Sequence, residues 1–230
     1  MSDREIKLSP STLNLFLECP RCFWLKYCRG IIRPKGLVPS LCSGMDKEIK
    51  EYFDKFRGTL PPELDGKVDG QLIDDMDLLR KWRSTRQPTL IYYPQPNIRL
   101  AGALDDCLIK TVDNSRSYKP IDFKSRGSDP KEAVPAYYQN QMDCYDLLME
   151  KCGFSPVKGA YLIYYVLKNI QSSGSARFDV QVVPVETSAQ RAEATIARAI
   201  ETIRGSIPEA NPNCEYCKYR ESVFKTKSSA

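Results

Sequence analysis

Two cysteine pairs and one short series of carboxylates carry the chemistry open to this sequence. Cys19 and Cys22 form a CPRC unit, and Cys214 and Cys217 form a CEYC unit. A CxxC spacing lets two thiolates clasp one metal, so the two units supply four ligands, a full set for zinc or for an iron–sulfur cluster. Spacing alone does not separate the two. The units lie near opposite ends of the sequence, in segments that read as short turns. A shared site would therefore staple the N-terminal helices to the C-terminal tail. Packing is the competing reading, since free cysteine behaves as a small hydrophobe. Cys28, Cys42, Cys107, Cys144 and Cys152 stand alone and are expected to be packing residues.

The carboxylates lie in the middle of the chain. Gly102, Ala103, Leu104 and Asp105 read as part of one strand, and Asp122, Phe123 and Lys124 as part of the next. Alternation puts Asp122 and Lys124 on one face and Phe123 on the other. If the strands pair, Asp105 approaches Asp122, and two carboxylates beside an ammonium make a hard-cation site suited to hydrolysing a phosphodiester with Mg²⁺. Lys124 would deprotonate or orient the attacking water and stabilise the transition state. A lone DxK string is better read as an exposed ion pair; the combination with other motifs lifts this one.

The composition narrows the rest. The chain has 230 residues, nine cysteines and no histidine, which rules out Ser-His-Asp and Cys-His nucleophiles, HExxH zinc sites and histidine-metal nucleases. Any metal must be held by thiolates, carboxylates, carbonyls or water. Lys and Arg total 34 against 29 Asp and Glu, a net charge of +5, which permits a polyanionic partner without requiring one. No apolar run is long enough to span a bilayer and no signal-like segment opens the sequence, so a cytoplasmic, thiol-reducing location is expected, with no membrane partner.

The elements that must position these groups follow from the patterning. Ser9 or Ser11 is expected to cap a helix through Leu13, Phe16 and Leu17, interrupted by Pro20. A second helix carries Phe23 and Trp24 up to Gly30, and a third runs from about 44 to 56. Residues 58–70 read as an exposed loop and 71–83 as a helix. Strands are expected at 89–94, 97–112 and 118–125, then a helix over about 130–151, two strands at 159–168 and 176–187, and a helix over about 188–204 before the cysteine tail. The class is α/β.

Taken in order, GALDD, IDFK and the helical QMDCY of Gln141 to Tyr145 resemble the RecB-type branch of the PD-(D/E)XK nuclease superfamily, whose GxxD, (D/E)xK and QxxxY motifs occur in that order. Its iron–sulfur members, the CRISPR-associated exonucleases among them, also carry an early cysteine and further cysteines at the C-terminal end. The resemblance runs from about Ser9 to Arg220. It implies one domain over 1–230: a helical N-terminal part (1–85), a restriction-endonuclease-like core with a central mixed sheet flanked by helices (86–187), and a C-terminal helix and cysteine tail (188–230).

Carried over residue by residue, the resemblance makes Asp105 and Asp122 metal ligands, the Phe123 carbonyl a further ligand, and Lys124 the catalytic lysine. Gln141 and Tyr145 would contact DNA or orient the lysine and the scissile phosphate. Many relatives carry a metal-binding histidine on an early helix. Here that position falls on Asp46, with Glu48 as the alternative. The cysteines divide two and two rather than one and three, with Val223 near the place of the missing third late cysteine. The implied activity is a DNA exonuclease using Mg²⁺ or Mn²⁺ on single strands or ends, with a 4Fe–4S cluster or zinc at the cysteines. Arg21, Arg29, Lys35 and Arg126 would line the strand's path, and Tyr137 and Tyr138 would stack on bases. The alternative is an inactive nuclease-fold module that binds DNA or organises an assembly.

Overall fold

Ser9 opens the first helix as a capping box. Its hydroxyl accepts the Thr12 N–H at 3.3 Å while the Thr12 hydroxyl accepts the Ser9 N–H at 2.8 Å, and Pro10 follows at the first position, where its missing N–H costs nothing. In the computed structural model, residues 5–34, 36, 40–113, 115–131 and 135–228 are described. In chain order they form β1 (Ile6–Leu8), α1 (Pro10–Glu18), α2 (Pro20–Arg29), α3 (Ser40–Phe53), β2 (Gln71–Leu72), α4 (Met76–Arg83), β3 (Leu90–Gln95), β4 (Ile98–Gly102), β5 (Asp106–Val112), β6 (Ser115–Arg126), α5 (Ala136–Lys151), β7 (Ala160–Ile170), β8 (Ala176–Val185), α6 (Ala189–Arg204) and α7 (Glu215–Ser228).

The fold is α/β, built on a mixed five-stranded sheet in the order β2-β5-β6-β7-β8. β6 and β7 run parallel and α5 is their crossover; the other pairs are antiparallel. A second sheet, β1-β4-β3, lies beside it. β6 has opposite faces buried against different partners. Ile121 and Phe123 pack with Ile49, Phe53, Leu64 and Leu72 on the α3 side, while the other face looks onto α5, whose Met142, Tyr145 and Leu148 join the larger core. Among the described residues, no helix is long and apolar enough to cross a membrane.

Several elements differ from the sequence expectation. The run 97–112 is two strands in two sheets. Gly102 ends the first where α5 crosses: a Cβ there would meet Leu148 Cδ1 at 2.7 Å, and the Leu104 N–H leaves the ladder to bond the Trp82 carbonyl at 3.0 Å. Residues 58–70 are not simply an exposed loop, because Leu64 is fully buried under the α3 side of the sheet. The segment 71–83 starts as an edge strand and becomes helical only after Asp75, whose carboxylate accepts the Leu78 N–H at 2.9 Å. The tail is helical as α7, and β1 pairs in parallel with β4. The helix expected over 130–151 is α5, beginning after Pro135; residues 132–134 lie outside the described residues.

Candidate active site

The register of β5 against β6 sets the carboxylates. Asp106 stands opposite Ile121, so Asp105, one residue earlier, falls beside Asp122, and its Oδ2 accepts the Phe123 N–H at 3.1 Å. Asp122 is 2% exposed. Its Oδ2 is in ion contact with Lys124 Nζ yet accepts no directed hydrogen bond. Gln141 ties the group together from α5. Its Nε2 donates to Asp122 Oδ1 and to the Tyr145 hydroxyl, each at 2.7 Å, and its Oε1 accepts from Lys124 Nζ at 3.4 Å. Gln141 and Tyr145 lie four residues apart on one helical face, which makes this reach possible. Asp122, Lys124, Gln141 and Tyr145 therefore meet in one contact group, and Asp105 stands beside it, bonded to the main chain between Asp122 and Lys124.

Burial and the neighbouring Asp105 carboxylate push Asp122 from its ordinary 3.8 up to about 7, against the pull of Lys124 and Lys50. Burial likewise pushes the Tyr145 phenol well above its ordinary value. Phe123 turns its ring to the opposite face, 4.6 Å from the ring of Phe53, and that packing anchors the strand on which Asp122 and Lys124 sit. Lys124 Nζ also lies 4.4 Å from the centre of the Tyr138 ring, a cation–π contact.

α3 brings Asp46 to this group through an intermediary. Lys50 Nζ contacts Asp46 Oδ2 and Asp105 Oδ1, each at 2.8 Å. Burial alone would lower the Lys50 ammonium, but the Asp105 and Asp46 carboxylates outweigh it and hold Lys50 above its ordinary value. Glu48 points away and pairs only loosely with Lys47, at 4.0 Å, with 73% of its side chain exposed.

A second layer beneath Asp105 escaped the sequence reading. Asp106 is fully buried and is gripped by Arg57 through two bonds of 2.8 and 2.6 Å, with Arg83 Nη2 at 3.2 Å. Arg83 also pairs with Asp54 at 2.9 Å and donates through Nε to the Asp105 main-chain carbonyl at 2.7 Å. The guanidinium thus clamps the backbone that presents the Asp105 carboxylate. The doubled Asp in GALDDCL was the available signal, because alternation sends the second Asp to the other face, where a buried carboxylate needs cations.

The residues expected along a DNA path separate. Arg126, two residues after Lys124 on β6, stands 5.7 Å from the Tyr164 ring centre, and Tyr137 and Tyr138 lie ring to ring at 4.1 Å, Tyr137 half exposed. Arg21 belongs elsewhere: it bonds the Pro208 carbonyl, Glu209 and Glu221, fastening the C-terminal tail. Arg29 stacks 5.5 Å from the Trp24 ring. Lys35 lies outside the described residues.

Cys19, Cys22, Cys214 and Cys217 converge, all buried, with their sulfurs within 4.8 Å of one another. Individual separations are 3.9 Å for Cys19–Cys217, 3.7 Å for Cys22–Cys214 and 3.6 Å for Cys22–Cys217. The units are not turns but helix starts. Cys19 precedes Pro20 at the head of α2, and Cys214 immediately precedes α7, so the positive ends of two helices face the sulfurs. Burial would raise the Cys19 thiol, but main-chain N–H groups of Cys22 and Asn211 and the neighbouring thiols bring it down to about 7. Arg33 adds a bond to Cys214 Sγ at 3.3 Å, pairs with Glu18 and stacks 4.6 Å from the Tyr216 ring. Four soft donors in a cationic, buried setting fit a thiophilic metal. Val223, 39% exposed farther along α7, is not needed for the set.

Of the lone cysteines, Cys107 and Cys144 are buried in the core and Cys28 and Cys152 are half-buried against it, as expected for packing residues. Cys42 is not: it sits exposed in the first turns of α3, ahead of Ile49 and Phe53, the buried residues that anchor that helix.

A search of curated proteins found no match for the chain. The sequence pattern of the PD-(D/E)XK nuclease superfamily matches residues 40–222, a span that takes in Asp105, Asp122, Lys124, Gln141 and Tyr145 as well as α3 and the second cysteine pair.

Proposed function

The chain belongs to the PD-(D/E)XK nuclease superfamily, and we propose that it is a metal-dependent deoxyribonuclease that hydrolyses phosphodiester bonds on single strands or DNA ends, as an exonuclease, with Mg²⁺ or Mn²⁺. The observation that carries this reading is the set of contacts joining Asp122, Lys124 and Gln141, with Asp105 brought beside Asp122 by the register of β5 against β6 and bonded to the Phe123 N–H. The donor chemistry fits a hard cation: two adjacent carboxylates, one nearly fully buried with an oxygen that accepts no directed hydrogen bond. Asp105, Asp122 and the Phe123 carbonyl would hold the ion. When bound, it would polarise the scissile phosphate and acidify a water molecule.

The rest is work for the chain's own side chains. Gln141 keeps Asp122 and Lys124 at fixed separation, because one carboxamide bonds both. Lys124 then directs its ammonium at the attacking water and the phosphate oxygens, where it offsets the negative charge that builds in the transition state. Tyr145 holds the Gln141 carboxamide in its rotamer by accepting its N–H. Tyr137 and Tyr138, beside Lys124, give a strand aromatic faces on which bases can stack, and Arg126 extends the positive edge of β6.

At the cysteines we read a single tetrahedral ion, zinc, rather than a 4Fe–4S cube. A Zn–S bond of about 2.3 Å in a tetrahedron requires sulfurs about 3.8 Å apart; three of the six separations here are 3.6, 3.7 and 3.9 Å, and all six lie within 4.8 Å. In a cube each thiolate binds a different iron, which spreads the four sulfurs farther. Metal analysis and a visible spectrum test this: stoichiometric zinc in a colourless protein is expected, and a broad visible band with iron would overturn it.

The nuclease reading is tested with end-labelled single- and double-stranded DNA and Mn²⁺, beside Lys124→Ala. Shortening of labelled strands from an end, absent in the variant, is expected. Equal cleavage by both proteins, or none by either with any divalent ion, would overturn the assignment.

A further inference from the structure

Lys50 and its partner Asp46 stand at the carboxylate centre, and the proposed chemistry leaves both without a task. The Lys50 ammonium sits between two carboxylates, 2.8 Å from Asp46 Oδ2 on its own helix and 2.8 Å from Asp105 Oδ1 immediately before β5. Those are the distances of charge-assisted hydrogen bonds. The position is built: Ile49 and Phe53 bury the adjacent face of α3 against the sheet, Phe53 meets the Phe123 ring at 4.6 Å, and only 23% of the Lys50 side chain is exposed. Asp105 is consequently divided. Oδ1 faces Lys50, while Oδ2 accepts the Phe123 N–H, on the strand that carries Asp122.

An acid at position 46 and one at position 105 would ordinarily invite a cation to bridge them. Here a cation carried by the chain already does so. We propose that the Lys50 ammonium takes the place of a second divalent ion between Asp105 and Asp46, so that the centre binds one ion, on the Asp122 side of Asp105. Asp46 then acts as the partner that fixes Lys50, not as a metal ligand. The charges agree. Asp46, Asp105 and Asp122 against Lys50 and Lys124 leave one net negative charge when all are ionised, which one divalent ion overcompensates and a second would drive strongly positive. This rests on the hard-cation reading of Asp105 and Asp122 given above.

The test is Mn²⁺ stoichiometry, by titration calorimetry and by the electron paramagnetic resonance of bound ion, on protein with its cysteine centre left loaded. One Mn²⁺ per chain is expected for the native protein and for Lys50→Arg, which keeps the charge. Two are expected for Lys50→Met, with the spectrum of a spin-coupled pair, and one again for Lys50→Met combined with Asp46→Asn. Two ions in the native protein, or a single ion in Lys50→Met with unchanged melting temperature, would overturn the inference while leaving the hard-cation centre standing. No Mn²⁺ bound by the native protein, with Asp122→Asn indistinguishable from it, would bring down both.

Discussion

The cysteine centre and the carboxylate centre gather side chains suited to metals of opposite kinds, and they are built on opposite plans. At the cysteines, four equivalent soft donors converge from two helix starts, buried and within 4.8 Å of one another, so one ion would find its coordination complete. At the carboxylates, hard donors come from strands and each is answered by a cation of the chain itself: Lys124 at Asp122, Lys50 at Asp105. A site that fills every position with protein is a fastening. A site that balances its acids with ammoniums instead of closing a full ligand shell leaves positions for water and phosphate. The first joins segments almost two hundred residues apart, since Cys22 and Cys217 are 195 positions apart in sequence; the second joins neighbouring strands.

The largest expected effect separates fastening from chemistry. Structural zinc contributes on the order of 10 kcal/mol to folding of small metal domains, so stripping the cysteine centre, or Cys217→Ser, should release α7 and sharply lower the melting temperature. Asp122→Asn should leave that centre's metal content intact. Equal melting of stripped and loaded protein would erase the distinction. Next comes Lys124→Ala, expected to slow DNA cleavage by roughly 10²–10⁴-fold at a melting temperature close to that of the native protein. A variant that loses activity only by unfolding would move Lys124 to the structural side of the comparison.

A third variant probes the layer that supports the carboxylates. Arg57 makes two of the bonds to the fully buried Asp106. Arg57→Ala should destabilise the fold by about 3–5 kcal/mol, the usual consequence of leaving a buried charge without its partner, read as a shift in the urea midpoint. Arg57→Ala paired with Asp106→Leu should recover part of that loss, because the charge is then gone. No recovery would mean that packing of the arginine stem, not the ion pair, sets the stability.

What the sequence disclosed about these centres follows the range of the interactions. Soft donors three residues apart announce themselves, and so do Asp122 and Lys124, whose shared face follows from alternation within one strand. The approach of Asp105 to Asp122 needed only that adjacent strands pair. Lys50 was invisible as a site residue because an i,i+4 partner such as Asp46 is ordinary on any solvated helix; nothing local says that α3 docks onto β6 and brings Lys50 to Asp105. Arg57 and Arg83 are recruited over 49 and 23 residues to Asp106, from segments that read as the edge of a loop and a plain helix. The break after Gly102 was hidden for the same reason. Apolar alternation continues through it, and only Leu148 from α5 and the carbonyl of Trp82 end the strand there.

The smallest effect is a matter of pH, and it sharpens the contrast at the carboxylate end. Asp122 is raised from 3.8 to about 7, by burial first and by Asp105 second. Between those two values the folded chain binds a proton that the unfolded chain has released, so stability is lost as pH rises across that window. Protein free of Mn²⁺ and Mg²⁺ should therefore melt at a higher temperature near pH 5.5 than near pH 8, with the slope flattened in Asp122→Asn, which has no proton to lose there. The same proton competes with a divalent ion. Below pH 7, Mn²⁺ affinity should fall about tenfold per pH unit, since one proton must leave for each ion bound. A Mn²⁺ affinity independent of pH between 5.5 and 7 would mean that Asp122 is already ionised in the folded chain, with Lys124 and Lys50 together outweighing its burial.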